Sequence, residues 1–280
     1  MNTHRDHWST IVMISLAFLI LCSCRPVYEE PIIPPSQFTK QQRESLGEKV
    51  KIAIAFQDER FPVLPDIPPY DSTIYQFVQT LYDQATNEMR QDRRSPQSNK
   101  WDQDRAWKVT ILNTSEKNIF VVPGGGIYIT TGLLRNLETE HELYYLLAFE
   151  ASIMNEQFLF FQLINRINTN ALSKIAEGSA RGDDPNAEDI VEVIDNIFFE
   201  TDQVRSLDKL TIETICSSSV MDPLGVIRIA NELNNDCLWL DLRTDYSGRE
   251  DQLRQFVEEQ ERCGDFRTNG NYARYVLNKL

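Results

Sequence analysis

Residues Asn118 to Leu134 read N-I-F-V-V-P-G-G-G-I-Y-I-T-T-G-L-L. Asn118 to Val122 is a run of β-branched and aromatic residues, the types that fit a pleated, half-buried surface. Pro123 and the glycines Gly124, Gly125 and Gly126 break it, and a second run follows from Ile127 to Thr131. Glycine tolerates the backbone conformations of a tight reversal, so the stretch predicts two strands joined by a turn. Ahead of it, Trp107 to Leu112 (WKVTIL) predicts a further short strand.

Working outward, the pattern becomes helical. Lys40 to Phe56 places Leu46, Val50, Ile52 and Ile54 with 3.6-type periodicity, and Ser72 to Arg90 does the same with Ile74, Phe77, Val78, Leu81 and Tyr82. Thr139 to Arg166 predicts one long apolar-rich helix, and further helices are read at Asn186–Phe199, Gln203–Cys216, Pro223–Leu233 and Glu250–Arg262. Gly178 to Asn186 (GSARGDDPN) is a loop, and the Arg181-Gly182-Asp183 triplet inside it is a chance tripeptide rather than an adhesion motif. The expected class is α+β, predominantly helical, with a small sheet beside a long helix.

The composition narrows the functions. The chain has 280 residues, 41% hydrophobic and 25% charged, as a folded protein of one or at most two domains has. With 28 Lys and Arg against 42 Asp and Glu, the net charge of −14 supplies no electrostatic footprint for nucleic acid. Its three histidines are His4, His7 and His141, which leaves little for histidine-based catalysis.

The N-terminus reads as a leader. Ile11 to Cys22 is an apolar run of 12, well short of the roughly 20 residues that span a bilayer. It ends Leu21-Cys22-Ser23-Cys24, which resembles a bacterial lipobox and implies residues 1–23 as a signal peptide and Cys24 as the lipid-bearing residue; ordinary secretion with cleavage near Ser23 is the other reading. Residues 24–38 follow as a tether in which four prolines (Pro26, Pro31, Pro34, Pro35) deny helix or sheet ladders. A single domain is expected over 39–280.

The Asn118–Leu134 stretch resembles the N-A-F-A-L-P-G-G-x-I-Y-V-T-x-G-L-L segment of the zinc metallopeptidases related to HtpX, BepA and the CAAX prenyl proteases. Glu44-Ser45-Leu46-Gly47 and Phe61-Pro62-Val63-Leu64-Pro65-Asp66 resemble the leader of the periplasmic members. Glu142-Leu143 with Leu146-Leu147-Ala148 resembles the approach to the active-site helix, and Asp208 with Met221-Asp222-Pro223 resembles the E-x-x-A-D helix and its continuation. The resemblance covers about residues 41–256 and implies a zincin-like fold. It also implies a zinc held by two His at i and i+4 and a later Glu, with another Glu as general base.

At those positions the chain departs from the pattern. Phe149 and Ile153 stand where the two histidines belong, Val204 stands for the third-ligand Glu, and Thr244-Asp245-Tyr246 lacks the family's histidine; only Glu150 matches the catalytic group. Neither Ser152 nor Thr130 has a histidine to activate it. His141-Glu142 opens like a zincin motif, but Leu143, Tyr144 and Tyr145 follow, so His141 is expected to be solvated at a helix start. Glu138, Glu140 and Glu142 suit a helix N-terminus without any metal. Glu150 is expected to pair with a cation such as Arg205. No metal and no cofactor are expected, and the cleft is expected to be filled by side chains.

Two function classes remain. The first is a non-catalytic lipoprotein of metallopeptidase-like fold, lipid-anchored in the cell envelope, facing the periplasm from the outer membrane, and holding an envelope protein in assembly or quality control. The second is a metalloendopeptidase or other hydrolase with an unrecognised site. For the first, Gly125, Ile127 and Thr130 are expected to line a peptide groove along the edge of their strand. An oxidising compartment suits a disulfide, read as Cys237 with Cys263, leaving Cys216 free.

Overall fold

The turn after Val122 requires glycine: Gly124 and Gly125 have φ of 81° and 85°, where a side chain is disfavoured. In the computed structural model, which describes residues 38–65, 72–91, 108–155, 158–182, 184–197, 199–218, 221–223, 225, 227–229, 248–260 and 271–280, this turn joins β2 (Ile119–Val122) to β3 (Gly126–Thr130). β3 pairs antiparallel with β2 and parallel with β1 (Val109–Leu112), giving the order β1-β3-β2. The outer edge of β1 is taken by Pro62–Leu64, where Leu64 N–H donates to Ile111 O at 2.8 Å.

The chain is otherwise mostly helical: α1 (Lys40–Ala55), α2 (Ser72–Gln91), α3 (Thr131–Asn136), α4 (Glu140–Asn155), α5 (Phe158–Ile167), α6 (Thr169–Glu177), α7 (Ala187–Asp195), α8 (Thr201–Ser217), α9 (Arg249–Glu258) and a π-helical turn (Ala273–Leu277). Local chemistry sets the ends. Thr39 and Gln42 form a capping box at α1, as do Asn186 and Asp189 at α7. Asn168 caps α6, and Gly178 ends it in the left-handed conformation.

α4 is the centre of the fold. Every residue from Glu140 to Ile153 is buried, because α2, α8 and β2 pack around it. A helix apolar on all sides belongs inside a protein. α1 covers the turn between β2 and β3, and Gly47 permits this, since a Cβ there would collide with the Pro123 carbonyl.

The predominantly helical α+β reading holds, with differences in detail. Thr139–Arg166, expected as one helix, is described as α4 and α5. α3 and α6 were not expected; each is under ten residues and takes its ends from caps rather than from a long apolar period. The expected helix Pro223–Leu233 lies mostly outside the described residues, as do the leader, the tether, Cys24, Cys237, Cys263 and Thr244–Tyr246. Among the described residues no helix is long and apolar enough to cross a membrane.

Candidate functional site

On α4, Tyr145, Phe149 and Ile153 are spaced four residues apart and share one stripe; on α8, Val204 and Asp208 do the same. The two helices pack together. Phe149, Ile153 and Val204 are at most 1% exposed. A phenyl ring and two aliphatic side chains offer no N, O or S donor, so these residues do not fit a zinc ion. Among the described residues, no group of three or more His, Cys, Asp and Glu is placed to hold a metal.

Against Phe149 lies a charge pair. The Tyr145 hydroxyl donates to Asp208 Oδ1 at 2.8 Å. Arg249, the first residue of α9, donates from Nε to Asp208 Oδ2 at 2.8 Å and from Nη2 to Oδ1 at 2.7 Å, and Nη2 also reaches the Tyr145 hydroxyl at 3.0 Å. The guanidinium carbon stands 5.6 Å from the centroid of the Phe149 ring, a cation–π distance. Arg249 heads the fully buried side chains by size. Burial opposes its charge, yet Asp208 and then Tyr145 hold it protonated, above its ordinary value. Burial likewise pushes the Tyr145 phenol well up, with Arg249 opposing and Asp208 adding to the rise. The arrangement is a buried ion pair whose hydrogen bonds are made inside the chain.

The other expected residues divide. Glu150 is buried at 1% exposure on α4. Arg205, the cation expected beside it, donates to Gln252 Oε1 of α9 at 2.8 Å and lies 3.5 Å from Asp202. Ser152 Oγ donates to the Ala148 carbonyl at 2.8 Å and lies 3.4 Å from Thr211 Oγ1, an internal helix bond rather than a nucleophile's arrangement.

His141 corrects another expectation: it is buried, not solvated. The stretch containing Asp222 and Gly225 folds over the start of α4, so closely that a Cβ on Gly225 would come 2.8 Å from the His141 Cβ. Nδ1 accepts the Asp222 N–H at 3.1 Å, so this histidine serves as a backbone acceptor. Glu142 is paired through both oxygens with Arg228, and its Oε2 also accepts from the Glu138 and Thr139 N–H groups. Glu138 lies 3.5 Å from the same Arg228.

The peptide-groove expectation is corrected by the sheet order. Ile127 and Thr130 lie on β3, the central strand, paired on both sides, and Gly125 is buried beside them. Among the described residues β2 has no further strand beside it, but Ile119 to Val122 are all buried and α7 packs against them. Thr130 N–H donates to Asn118 O at 2.9 Å, which makes Asn118 and Thr130 a hydrogen-bonded pair; by alternation, Ile119 and Val121 direct their N–H and C=O away from β3. Beside β2 a narrow slit of about 20 Å³ is lined by Phe61, Ile119, Phe120, Val191, Ile194 and Ile197. Arg60 and Asp195 form an ion pair beside it. A larger cleft of about 730 Å³, which includes Arg166, Asn168, Asp189 and Glu192, touches none of the expected site residues.

Cys216, expected free, is disulfide-bonded, and its partner lies outside the described residues. Sequence reasoning also missed Tyr145 and Arg249. Tyr145 was open to detection, one turn before Phe149 on the same stripe; a surface-type arginine after Gly248 carries no such mark. No protein-family model matches the chain, and no curated protein matches it.

Proposed function

We propose that this protein is a non-catalytic, lipid-anchored component of the bacterial cell envelope that retains a metallopeptidase-like arrangement and binds a partner protein in outer-membrane or envelope assembly and quality control. The observation that carries the reading is the burial of Phe149, Ile153 and Val204, with the Phe149 ring against the Arg249 guanidinium of the Tyr145–Asp208–Arg249 cluster. Where the resemblance calls for an open metal and a water, the chain supplies packed side chains and a cation of its own. On this reading Glu150 is not a general base, because Phe149 and Ile153 beside it on α4 supply no ligand to hold a metal-bound water for it.

Binding needs no metal. The surface we assign to the partner is the narrow apolar slit between Phe61, Phe120, Val191 and Ile194, rimmed by Asn118 and Asp195.

The test is affinity purification of the tagged full chain from solubilised envelopes, followed by mass spectrometry. A stoichiometric envelope protein is expected, recovered equally with Glu150→Gln and lost with Asn118→Arg or Asp195→Arg while circular dichroism stays unchanged. About one zinc per chain with caseinolytic activity that Glu150→Gln abolishes would overturn the reading in favour of a hydrolase.

A further inference from the structure

Asp208, Tyr145 and Phe149 come from two helices and converge on one cationic group. A carboxylate takes it through both oxygens, a phenol oxygen accepts a third N–H, and an aromatic face lies 5.6 Å from the guanidinium carbon. This is a receptor for a planar, multidentate cation: two parallel N–H···O bonds need the fixed fork of a guanidinium, and stacking on a ring suits its flat, weakly hydrated surface. An ammonium ion matches neither feature.

α9 explains why the cation belongs to the chain itself. Its sequence, Arg249 to Glu258, is strongly hydrophilic, and its buried residues are Arg249, Leu253 and Phe256. Gly248, at φ 90°, turns the backbone immediately before Arg249, and no side chain caps the helix start. The anchor that seats this end of α9 on α4 and α8 is therefore a charge rather than an apolar stripe.

We propose that Tyr145, Phe149 and Asp208 form a guanidinium-binding site, occupied by the chain's own Arg249, that cross-links α4 to α8 and docks α9. The site is internal and its ligand intramolecular, so removal of the Arg249 side chain leaves a cavity of matching shape with a buried carboxylate in it. The inference does not depend on whether the protein binds a partner, and its test reads a different quantity.

The experiment is chemical rescue in the purified full chain. Arg249→Ala is expected to lower the melting temperature by about 10 °C, the scale for stripping one partner from a buried pair in a domain of this size. Millimolar methylguanidinium is expected to raise the melting temperature of Arg249→Ala saturably, and methylammonium at equal ionic strength to leave it unchanged. Neither wild type nor Asp208→Ala/Arg249→Ala should respond. Arg249→Lys should remain destabilised. If Arg249→Ala does not accumulate folded, Asp208→Leu/Arg249→Met is expected to be clearly more stable than Asp208→Leu alone, because it leaves no buried charge without its partner. Absence of rescue, rescue by methylammonium, wild-type stability in Arg249→Lys, or a double variant as unstable as the single would each overturn the proposal.

Discussion

Phe120 on β2 and Tyr128 on β3 are directly opposite in the antiparallel ladder and stack with ring centroids 5.0 Å apart and planes 6° from parallel. The stack buries the phenol of Tyr128. Burial first, and then the charge of Glu48, pushes it up to about 12.

That shift sets an alkaline limit. A phenol whose folded value lies above its unfolded one, near 10, contributes stability that is fully present below pH 10 and is lost as the pH climbs from 10 toward 12. Tyr144, Tyr145 and Tyr272 are all raised, by burial foremost, and act in the same direction. Stability should therefore decline above about pH 10, with tyrosinate absorbance from these residues rising together with loss of the helical circular dichroism signal. Their ionisation in a still-folded protein would contradict this.

Installing metal ligands at Phe149, Ile153 and Val204 should be hard. Phe149→His, Ile153→His and Val204→Glu each insert a polar group among residues that are at most 1% exposed, at a cost on the order of 1 to 4 kcal/mol apiece. The triple variant should unfold at much lower denaturant than wild type, and added zinc should recover little of the loss. For the wild-type protein, a chelator should leave the melting temperature where it was.

Charge placed on the central strand should break the fold rather than report on a groove. Ile127 is fully buried and pairs with Val109 on one side and Val121 on the other, so Ile127→Arg should fail to give a cooperative unfolding transition. Thr130→Val is a milder probe. The Thr130 hydroxyl caps α3 at Leu133 N–H, accepts from Asn118 N–H at 2.8 Å and donates to Glu116 O at 2.6 Å. Its loss should cost about 2 kcal/mol by denaturant titration, combining a lost cap with orphaned backbone groups.

The attachment reading is checked at Cys24. Cys24→Ala should lose its lipid and accumulate as precursor, and intact mass with detergent partitioning separates the two outcomes. Acyl chains contribute about 0.8 kcal/mol per buried CH₂, so two or three of them hold a protein firmly where one does so only marginally. An unchanged mass in the variant would sink the lipoprotein reading.

Much of this architecture was legible in the chain itself. The β2–β3 turn follows from Pro123 and its glycines, and α1, α2, α7 and α8 follow from apolar periodicity, because these signals are local: a backbone preference or a repeat read within a few residues. The positions Phe149, Ile153 and Val204 were pointed to by the resemblance, and helix spacing puts Phe149 and Ile153 on one face. What pairs with what was not local. The place of β3 in the middle of the sheet depends on the parallel partner β1, the burial of His141 on residues some eighty positions later, and the pairing of Asp208 with Arg249 on a contact across 41 residues. The sequence alone determined which helix faces were apolar and that Phe149, Ile153 and Val204 carry no metal-binding atom. Only tertiary structure decided that a buried arginine would pair with Asp208 against the Phe149 ring, because a long-range charge pair leaves no periodic trace along the chain and is selected by desolvation once the helices are packed.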